Sequence, residues 1–501
     1  MNINLLAPLG VALAQLPEII LTLFALAALL VAAWRHRTAE DSRLAGWVSL
    51  AGTGVAFAAM AWLWTMHARP MEGAHMVALD DYRFAAGLLI LAATAATILL
   101  SLGYTVREGL TAPEYYPLVL FAAAGMLWLA GADDMMVLFL GLEVMSVAIY
   151  VLVGFDRVRQ SSGESALKYF LMGAFASAFL LYGIALVYGA TGVTSLSAAG
   201  IAIARSPDSL MASLGLGFFL IGFGFKVAAV PFHMWTPDVY EGAPTPITGF
   251  MATGVKVAAF AALVRVLYGA FGGIAETWQG ILAVLAMLSM VVGNLIALNQ
   301  RSLKRMLAYS SIAHAGYLLA AVLPGVPLAA SATLTYLTAY VLTSLAAFGL
   351  LAGLGREGER DVTLDTVAGL AGSRPWLAAA LGICMLSLLG FPGTFGFIGK
   401  WQILVTLIGG QQYLVAVVLV LASLISAGYY LPVIMSLYMR PAPAERSEVA
   451  PLGMAAAATV AVAVVLVVVL GVWPTPAIDA SLASSQSLFE GLVTGVHHSA
   501  P

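Results

Sequence analysis

Charge is what this 501-residue chain has least of: only 9% of its residues are Asp, Glu, Lys or Arg. A soluble domain carries roughly a quarter. Cysteine is nearly absent as well. The one present, Cys384, lies in an apolar run, so there is no disulfide framework and no Cys-rich zinc or iron–sulfur cluster. Net charge is −3 with no basic or acidic tail, which leaves nucleic-acid binding nothing to rest on. No polar stretch is long enough for a separate soluble domain, and this argues against catalysis on a soluble metabolite or nucleotide within the chain.

What fills the sequence is apolar residues, 61% of the total. They fall into runs of about 20, the length that crosses the hydrocarbon core as a helix. Membrane β-strands are shorter and alternate in polarity, which these runs do not. Spans are predicted near 12–34, 46–66, 82–105, 116–132, 134–155, 163–190, 211–234, 245–270, 279–299, 304–324, 327–354, 373–408, 411–438 and 452–473. The fold class is therefore an all-α polytopic membrane protein of about 14 transmembrane helices. The opening Met1-Asn2-Ile3-Asn4 lacks the basic region of a signal peptide, so the first run is expected to be a retained helix.

The arginines set orientation. Arg35, Arg37 and Arg43, then Arg107, then Arg157 and Arg159, follow odd-numbered runs. So do Arg301, Lys304 and Arg305, then Arg356, Arg360 and Arg374, then Arg440 and Arg446. The opposite side carries Arg69, Arg83, Arg205 and Arg265. Positive-inside bias places the first group in the cytoplasm and both termini outside.

A shift of 167 residues sets Tyr150 on Tyr317, Tyr169 on Tyr336 and Ser177 on Ser344. Five helices separate the copies, an odd number, so the repeats are inverted across the membrane. The register then slips by seven residues, setting Gly222 to Lys226 loosely against Gly396 to Lys400. The domain organisation expected is 1–110 (helices 1–3), 111–275 (first repeat, helices 4–8), 276–440 (inverted repeat, helices 9–13) and 441–501 (helix 14 and tail).

Of five lysines, Lys168, Lys226, Lys256 and Lys400 fall inside apolar runs, and only Lys304 falls in a loop. A charge at bilayer depth costs at least ~2.5–3.5 kcal/mol, so these four should face the bundle interior or water. Lys168, near a helix end, has the alternative of snorkelling to the head groups. Glu143, deep in the fifth run, fits either a register-fixing ion pair or a proton relay. Glu18, near a helix end, is open to the same two readings. An amine suits a relay when burial brings its pKa from about 10.4 toward neutrality and a movable carboxylate can raise it again. Pro231 follows Lys226 and should free the carbonyl of Val227, while Pro392 and Gly393 open the twelfth run before Lys400. Broken helices at membrane depth are tolerated where they line a hydrated or protein-buried cavity. Ser310, Ser311, His314, Tyr317, Tyr336, Tyr340 and Thr343 could bridge the charges, with His314 placed between Lys256 and Lys400. His233 follows the first break and is expected near the cytoplasmic surface. No haem, quinone or metal pocket is suggested.

The run from Lys226 through Pro231-Phe232-His233-Met234-Trp235-Thr236-Pro237-Asp238 to Pro246 resembles the signature of the antiporter-like subunits of respiratory complex I. Its continuation to Lys256, the stretch Leu303 to His314, and Gly390 to Lys400 look most like the N-subunit family of NADH:quinone oxidoreductase. The resemblance covers nearly the whole chain. It implies 14 helices with two inverted five-helix repeats and two broken helices, in a proton-pumping complex. It implies Glu143 as the helix-five carboxylate, Lys168 as its modulating partner, Lys226 as the broken-helix lysine, Lys256 as the central lysine and Lys400 as the distal one. Lysine at 400 argues against the M subunit; lysine at 256 and the lack of a long lateral helix argue against L. It implies no cofactor in this chain, with NADH, FMN, iron–sulfur clusters and quinone in partner subunits. Expected partners are an adjacent M-type subunit, small K/J/A-type subunits and the lipid bilayer of a bacterial inner membrane, with both termini periplasmic. A subunit of a cation/proton antiporter and a non-pumping spacer are the competing readings.

Overall fold

A computed structural model describes residues 7–34, 39–66, 76–355, 362–442 and 452–498. Arg35, Arg37, Arg69, Arg356, Arg360 and Arg446, used above for orientation, lie outside the described residues, as does the opening tetrapeptide.

The chain folds into helices throughout: α1 (Ala7–Ala14), α2 (Leu16–Trp34), α3 (Ala39–Thr65), α4 (Asp81–Arg107), α5 (Tyr115–Gly131), α6 (Met135–Val153) and α7 (Gln160–Thr191). These are followed by α8 (Leu196–Arg205), α9 (Leu210–Val227), α10 (Thr236–Gly242) and α11 (Thr245–Phe250), which continues through a π turn (Met251–Val255) into α12 (Lys256–Gly269). The second half comprises α13 (Ala275–Ala297), α14 (Leu303–Val322), α15 (Pro327–Leu354), α16 (Leu370–Ser373), α17 (Pro375–Leu389), α18 (Phe395–Gly409), α19 (Tyr413–Met439), α20 (Met454–Val472) and α21 (Thr475–His498). Among the described residues, eleven helices are long and apolar enough to cross a membrane. The shorter α5, the more polar α14, and α17 with α18 as two halves of one broken helix bring the crossings to the fourteen expected.

The repeat is visible in backbone geometry. A β-carbon on Gly125 of α5 would come within 2.4 Å of Met145 N and 2.8 Å of Gly141 O, so α5 and α6 touch main chain to main chain. Gly293 of α13 stands in the same relation to α14: its β-carbon would lie 2.7 Å from Ala313 N and 3.0 Å from Tyr309 O. Small residues at such crossings let membrane helices associate by close packing, since no hydrophobic drive exists between them in lipid. Asp134 caps α6 and pairs with Ser195 in an isolated antiparallel bridge; Ser302 caps α14 and pairs with Thr363 in another. All three correspondences are separated by 168 residues, one more than the tyrosine register.

Three sequence expectations change. The first break is not made by Pro231: α9 has already ended at Val227, with Ala228 in the left-handed region (φ 63°). Ala229 N donates to Gly224 O and Ala228 N to Phe225 O, so the carbonyls are closed by a Schellman turn. The second break ends the same way, with Gly390 at φ 87°, Phe391 N donating to Leu386 O and Gly390 N to Ser387 O. The breaks are thus equivalent at Ala228 and Gly390. Lys226 therefore precedes its break while Lys400 follows its own, and the loose match of their two motifs does not hold. Third, the tail is a helix: α21 packs on α4, α8 and α15 and places Phe489 5.2 Å from Tyr268. Its serine-rich sequence is too polar to register as a membrane run.

Substituting Gly125 or Gly293 by valine should sharply lower the amount of folded chain extracted from membranes, because backbone cannot give way and overpacking costs about 1–3 kcal/mol or more. Gly54→Val, in open space, should leave that amount unchanged.

Candidate functional site

Three of the four intramembrane lysines are buried: Lys226, Lys256 and Lys400 are 5%, 3% and 7% exposed. Each lies at a backbone irregularity. Lys226 is one residue from the end of α9, Lys256 opens α12 straight after the π turn, and Lys400 is in the second turn of α18. Irregular backbone exposes carbonyls and gives an ammonium something to bind.

Lys400 reaches back across its break, and its Nζ donates to Leu389 O at 2.9 Å, a carbonyl freed by the end of α17. Its charge lies 4.6 Å from the centroid of the Tyr317 ring. Lys226 sits in a ring cage instead, 5.5 Å from Tyr150 and 5.4 Å from Tyr169. Tyr150 and Tyr317, matched by sequence alone, thus each face the lysine of their own repeat. Among the described residues, Lys226 Nζ and Glu143 Oε1 are buried without a hydrogen-bond partner, and the Glu143 carboxylate acts on Lys226 through space.

Lys256 Nζ donates to Ser311 O at 2.6 Å and Oγ at 2.7 Å and lies 5.0 Å from the Tyr340 ring. His314, one turn further along α14, shares hydrogen bonds with Tyr336 Oη through Nδ1 (2.6 Å) and Tyr430 Oη through Nε2 (3.2 Å). It interacts electrostatically with both Lys256 and Lys400. Tyr430 Oη also bonds Ser310 Oγ, and Thr343 Oγ1 bonds Ser387 Oγ at 2.8 Å.

Lys168 is placed differently. It lies in the third turn of α7, its side chain is 42% exposed, and it pairs with Glu164 at 2.6 Å and Asp238 at 2.9 Å, not with Glu143. Its long stem carries the ammonium toward the α10 end of the bundle, the snorkelling alternative. Lys304, read as a loop residue, sits instead in the first turn of α14, buried, with Nζ donating to Ala243 O at 2.6 Å. His233 is half-buried, and its Nδ1 has no hydrogen-bond partner among the described residues.

Sequence reasoning missed several participants. Asn294 of α13 donates to Tyr317 Oη at 3.2 Å and accepts from Tyr429 Oη at 2.7 Å. Trp235 Nε1 donates to Phe225 O at 3.1 Å, and Tyr240 Oη lies 3.5 Å from Ser311 Oγ. The Tyr429-Tyr430 pair and Asn294, polar groups inside apolar runs, were the available signals. Among the described residues no cluster of His, Cys, Asp and Glu is placed to hold a metal ion.

Glu18 forms a second buried ionic centre with a different partner. Arg83 Nη2 donates to Glu18 Oε1 and Ala14 O, both at 2.8 Å, while Arg265 clasps Asp80 in a bidentate pair at 2.7 and 2.9 Å. These pairs tie α1, α2 and the start of α4 to one another and to α12. Arg83 and Arg265, counted above as exterior charges, are thus interior side chains. Removing one member strands a buried charge, at a cost of about 3–5 kcal/mol. Glu18→Ala should therefore lower the thermal stability of the detergent-solubilised protein. Glu18→Met combined with Arg83→Met should recover most of the loss.

Comparison with known proteins gives a consistent answer. The family model described as "NADH:quinone oxidoreductase/Mrp antiporter, TM" matches residues 132–426. NADH-quinone oxidoreductase subunit N 2 of Roseiflexus castenholzii is 44% identical, with 87% of this chain and 89% of the relative covered. Subunit N of Trichlorobacter lovleyi is 42% identical over 85% and 87%. A chain of respiratory complex I from Thermus thermophilus superposes with a TM-score of 0.79 at 37% identity, covering 93% of this chain and all of that one. A chain of the Mrp complex from Dietzia shares the fold at a TM-score of 0.84 and 19% identity, covering 97% of this chain and 99% of that one. The chain belongs to the subunit N family of NADH-quinone oxidoreductases, within the wider NADH:quinone oxidoreductase/Mrp antiporter family.

Proposed function

We propose that this chain translocates protons through the line Glu143, Lys226, Lys256, His314 and Lys400. The chain is a membrane-arm subunit of NADH-quinone oxidoreductase, a proton-translocating enzyme complex. The observation that carries the relay is the bridge between the two central lysines. Lys256 is bonded to Ser311, and one turn on, His314 is held by two tyrosine hydroxyls within electrostatic reach of Lys256 and Lys400. Each group can hold or pass a proton, and none is spent on a closed ion pair. Charge moving at one end biases occupancy at the next, which is coupling by charge alone. Redox chemistry, with NADH, FMN, iron–sulfur clusters and quinone, belongs to partner subunits in this reading.

Glu143 also points to where a partner binds. It lies on the α6 stripe Met136, Leu140, Val147 and Val151, all exposed in the single chain, and is itself half-buried. A carboxylate on that stripe at bilayer depth is costly against lipid. A protein neighbour therefore covers it in this reading, one of the M-type or K/J/A-type membrane-arm subunits. Residues 111–275 and 276–440 are the two inverted halves of the path, and the arginine asymmetry supports an inner-membrane orientation with both termini periplasmic. Lys168, exposed and paired elsewhere, acts on this path only at a distance.

Lys226→Ala in the intact complex should reduce proton pumping in inverted vesicles several-fold, while assembly persists. Unchanged pumping, or collapse of the complex, sinks the relay assignment. The isolated chain assayed with NADH should be inert.

A further inference from the structure

One short element contacts groups that surround each of the first two buried lysines. α10 carries Trp235 at its N-terminal boundary, and that ring stacks on Tyr169 at 4.4 Å, part of the cage around Lys226. Five residues later Tyr240 Oη meets Ser311 Oγ, the hydroxyl that holds Lys256 Nζ. The side chains between the lysines at this level, Phe225, Trp235 and Tyr240, are packed rings, with Trp235 5.3 Å from Phe225 and 6.2 Å from Tyr240. The Tyr240 hydroxyl is the polar group of this element that reaches the Ser311 hydroxyl beside Lys256.

The opposite face of α10 is anchored by charge. Asp238 Oδ2 accepts from Lys168 of α7 at 2.9 Å and its Oδ1 lies 3.1 Å from Arg305 Nη1 of α14, which also pairs with Glu241. These contacts fix the rotation of a two-turn helix whose other face carries Tyr240. They also give a role to Lys168, which pairs with Asp238 and Glu164.

We propose that Asp238 is a positioning residue for proton passage between Lys226 and Lys256, acting through the Tyr240 hydroxyl on the same helix. The proposal rests on the translocation reading above. Lys168 and Arg305 hold the Asp238 carboxylate, the carboxylate sets α10, and α10 keeps the phenol on Ser311. A proton released by the Lys226 ammonium replaces the phenol's own at Tyr240 Oη, the phenol proton passes to Ser311 Oγ, and the serine gives its proton to Lys256 in its amine form, so each oxygen gains one proton and loses one. Releasing Asp238 turns the phenol away and leaves a ring barrier between the lysines.

The test uses the assembled complex in inverted membrane vesicles, with the initial rate of NADH-driven proton pumping measured and assembly followed on native gels. Tyr240→Phe, which removes one oxygen, should lower pumping about fivefold, the rate equivalent of one lost hydrogen bond. Asp238→Asn should give a similar loss and Asp238→Glu should recover it. The double variant Asp238→Asn, Tyr240→Phe should be no worse than Tyr240→Phe alone, because the two act in series. A purely structural role for Asp238 predicts multiplied losses, and that result overturns the proposal, as does wild-type pumping in Tyr240→Phe. If Asp238→Asn does not assemble, Lys168→Gln removes one of its two cations and enters the same cycle. Lys226→Ala serves as the control. Full pumping there sinks the translocation reading itself, whereas loss there with normal pumping in Tyr240→Phe sinks this proposal alone.

Discussion

A charge inside a bilayer-spanning bundle must find compensation that a surface charge takes from water, and the rest of this structure is arranged around that requirement. The chain meets it in two distinct ways. At one group of sites it pairs the charges fully, as where Arg265 grips Asp80 with two nitrogens and Arg83 reaches both Glu18 and a main-chain carbonyl. Such centres are fixed, and they tie α2, α4 and α12 into one body. At the other sites compensation is partial: ring faces, one hydroxyl, one freed carbonyl. A lysine held this way keeps the option of losing its proton, because no carboxylate locks it as a cation. In the translocation reading, the division between locked and loosely held charges separates scaffold from path.

Irregular backbone serves the loosely held class. In a straight helix each carbonyl is already used by the N–H four residues on, so an ammonium there shares an occupied oxygen, as Lys256 does at Ser311 O. Ending α17 at Leu389 frees the oxygen that Lys400 takes, and the π turn before Lys256 rotates that side chain toward α14. Close glycine contacts between α5 and α6, and between α13 and α14, hold the surrounding helices rigid enough for these breaks to persist. The inverted duplication then supplies both halves from one plan.

How much of this was legible in the sequence follows from the kind of signal each feature leaves. A lysine inside an apolar run is conspicuous, so Lys226, Lys256 and Lys400 were found, and fourteen runs gave fourteen crossings. Position along a helix does not give the direction of a side chain: the resemblance implies Glu143 as the partner of Lys168, whereas its stem turns to Asp238. Hydroxyls and single amides carry no formal charge, so Asn294, Tyr429 and Tyr430 were weaker signals than the lysines and gained meaning only with their partners. Proline drew attention to the first break, but the turn is set three residues earlier at Ala228. The tyrosine register was off by one from the loops and caps, yet it paired the two rings that do equivalent work.

The two breaks share a hydrogen-bond pattern but not a residue. Glycine occupies the left-handed position of the second, where it meets no penalty; alanine occupies the first, at roughly 1–2 kcal/mol. Such a conformation persists only where surrounding contacts over-determine it. Here they are identifiable: the Trp235 bond to Phe225 O, the stack of that indole on Tyr169, and the ion pairs that seat α10. The second break has no counterpart to α10, because α18 begins almost at once and Lys400 closes the gap from within. The first break is therefore held by contacts made from outside the broken helix, and the second by its own lysine. Any motion that distinguishes the halves is set at α9 and α10, where the restraints are separable from the relay groups they restrain.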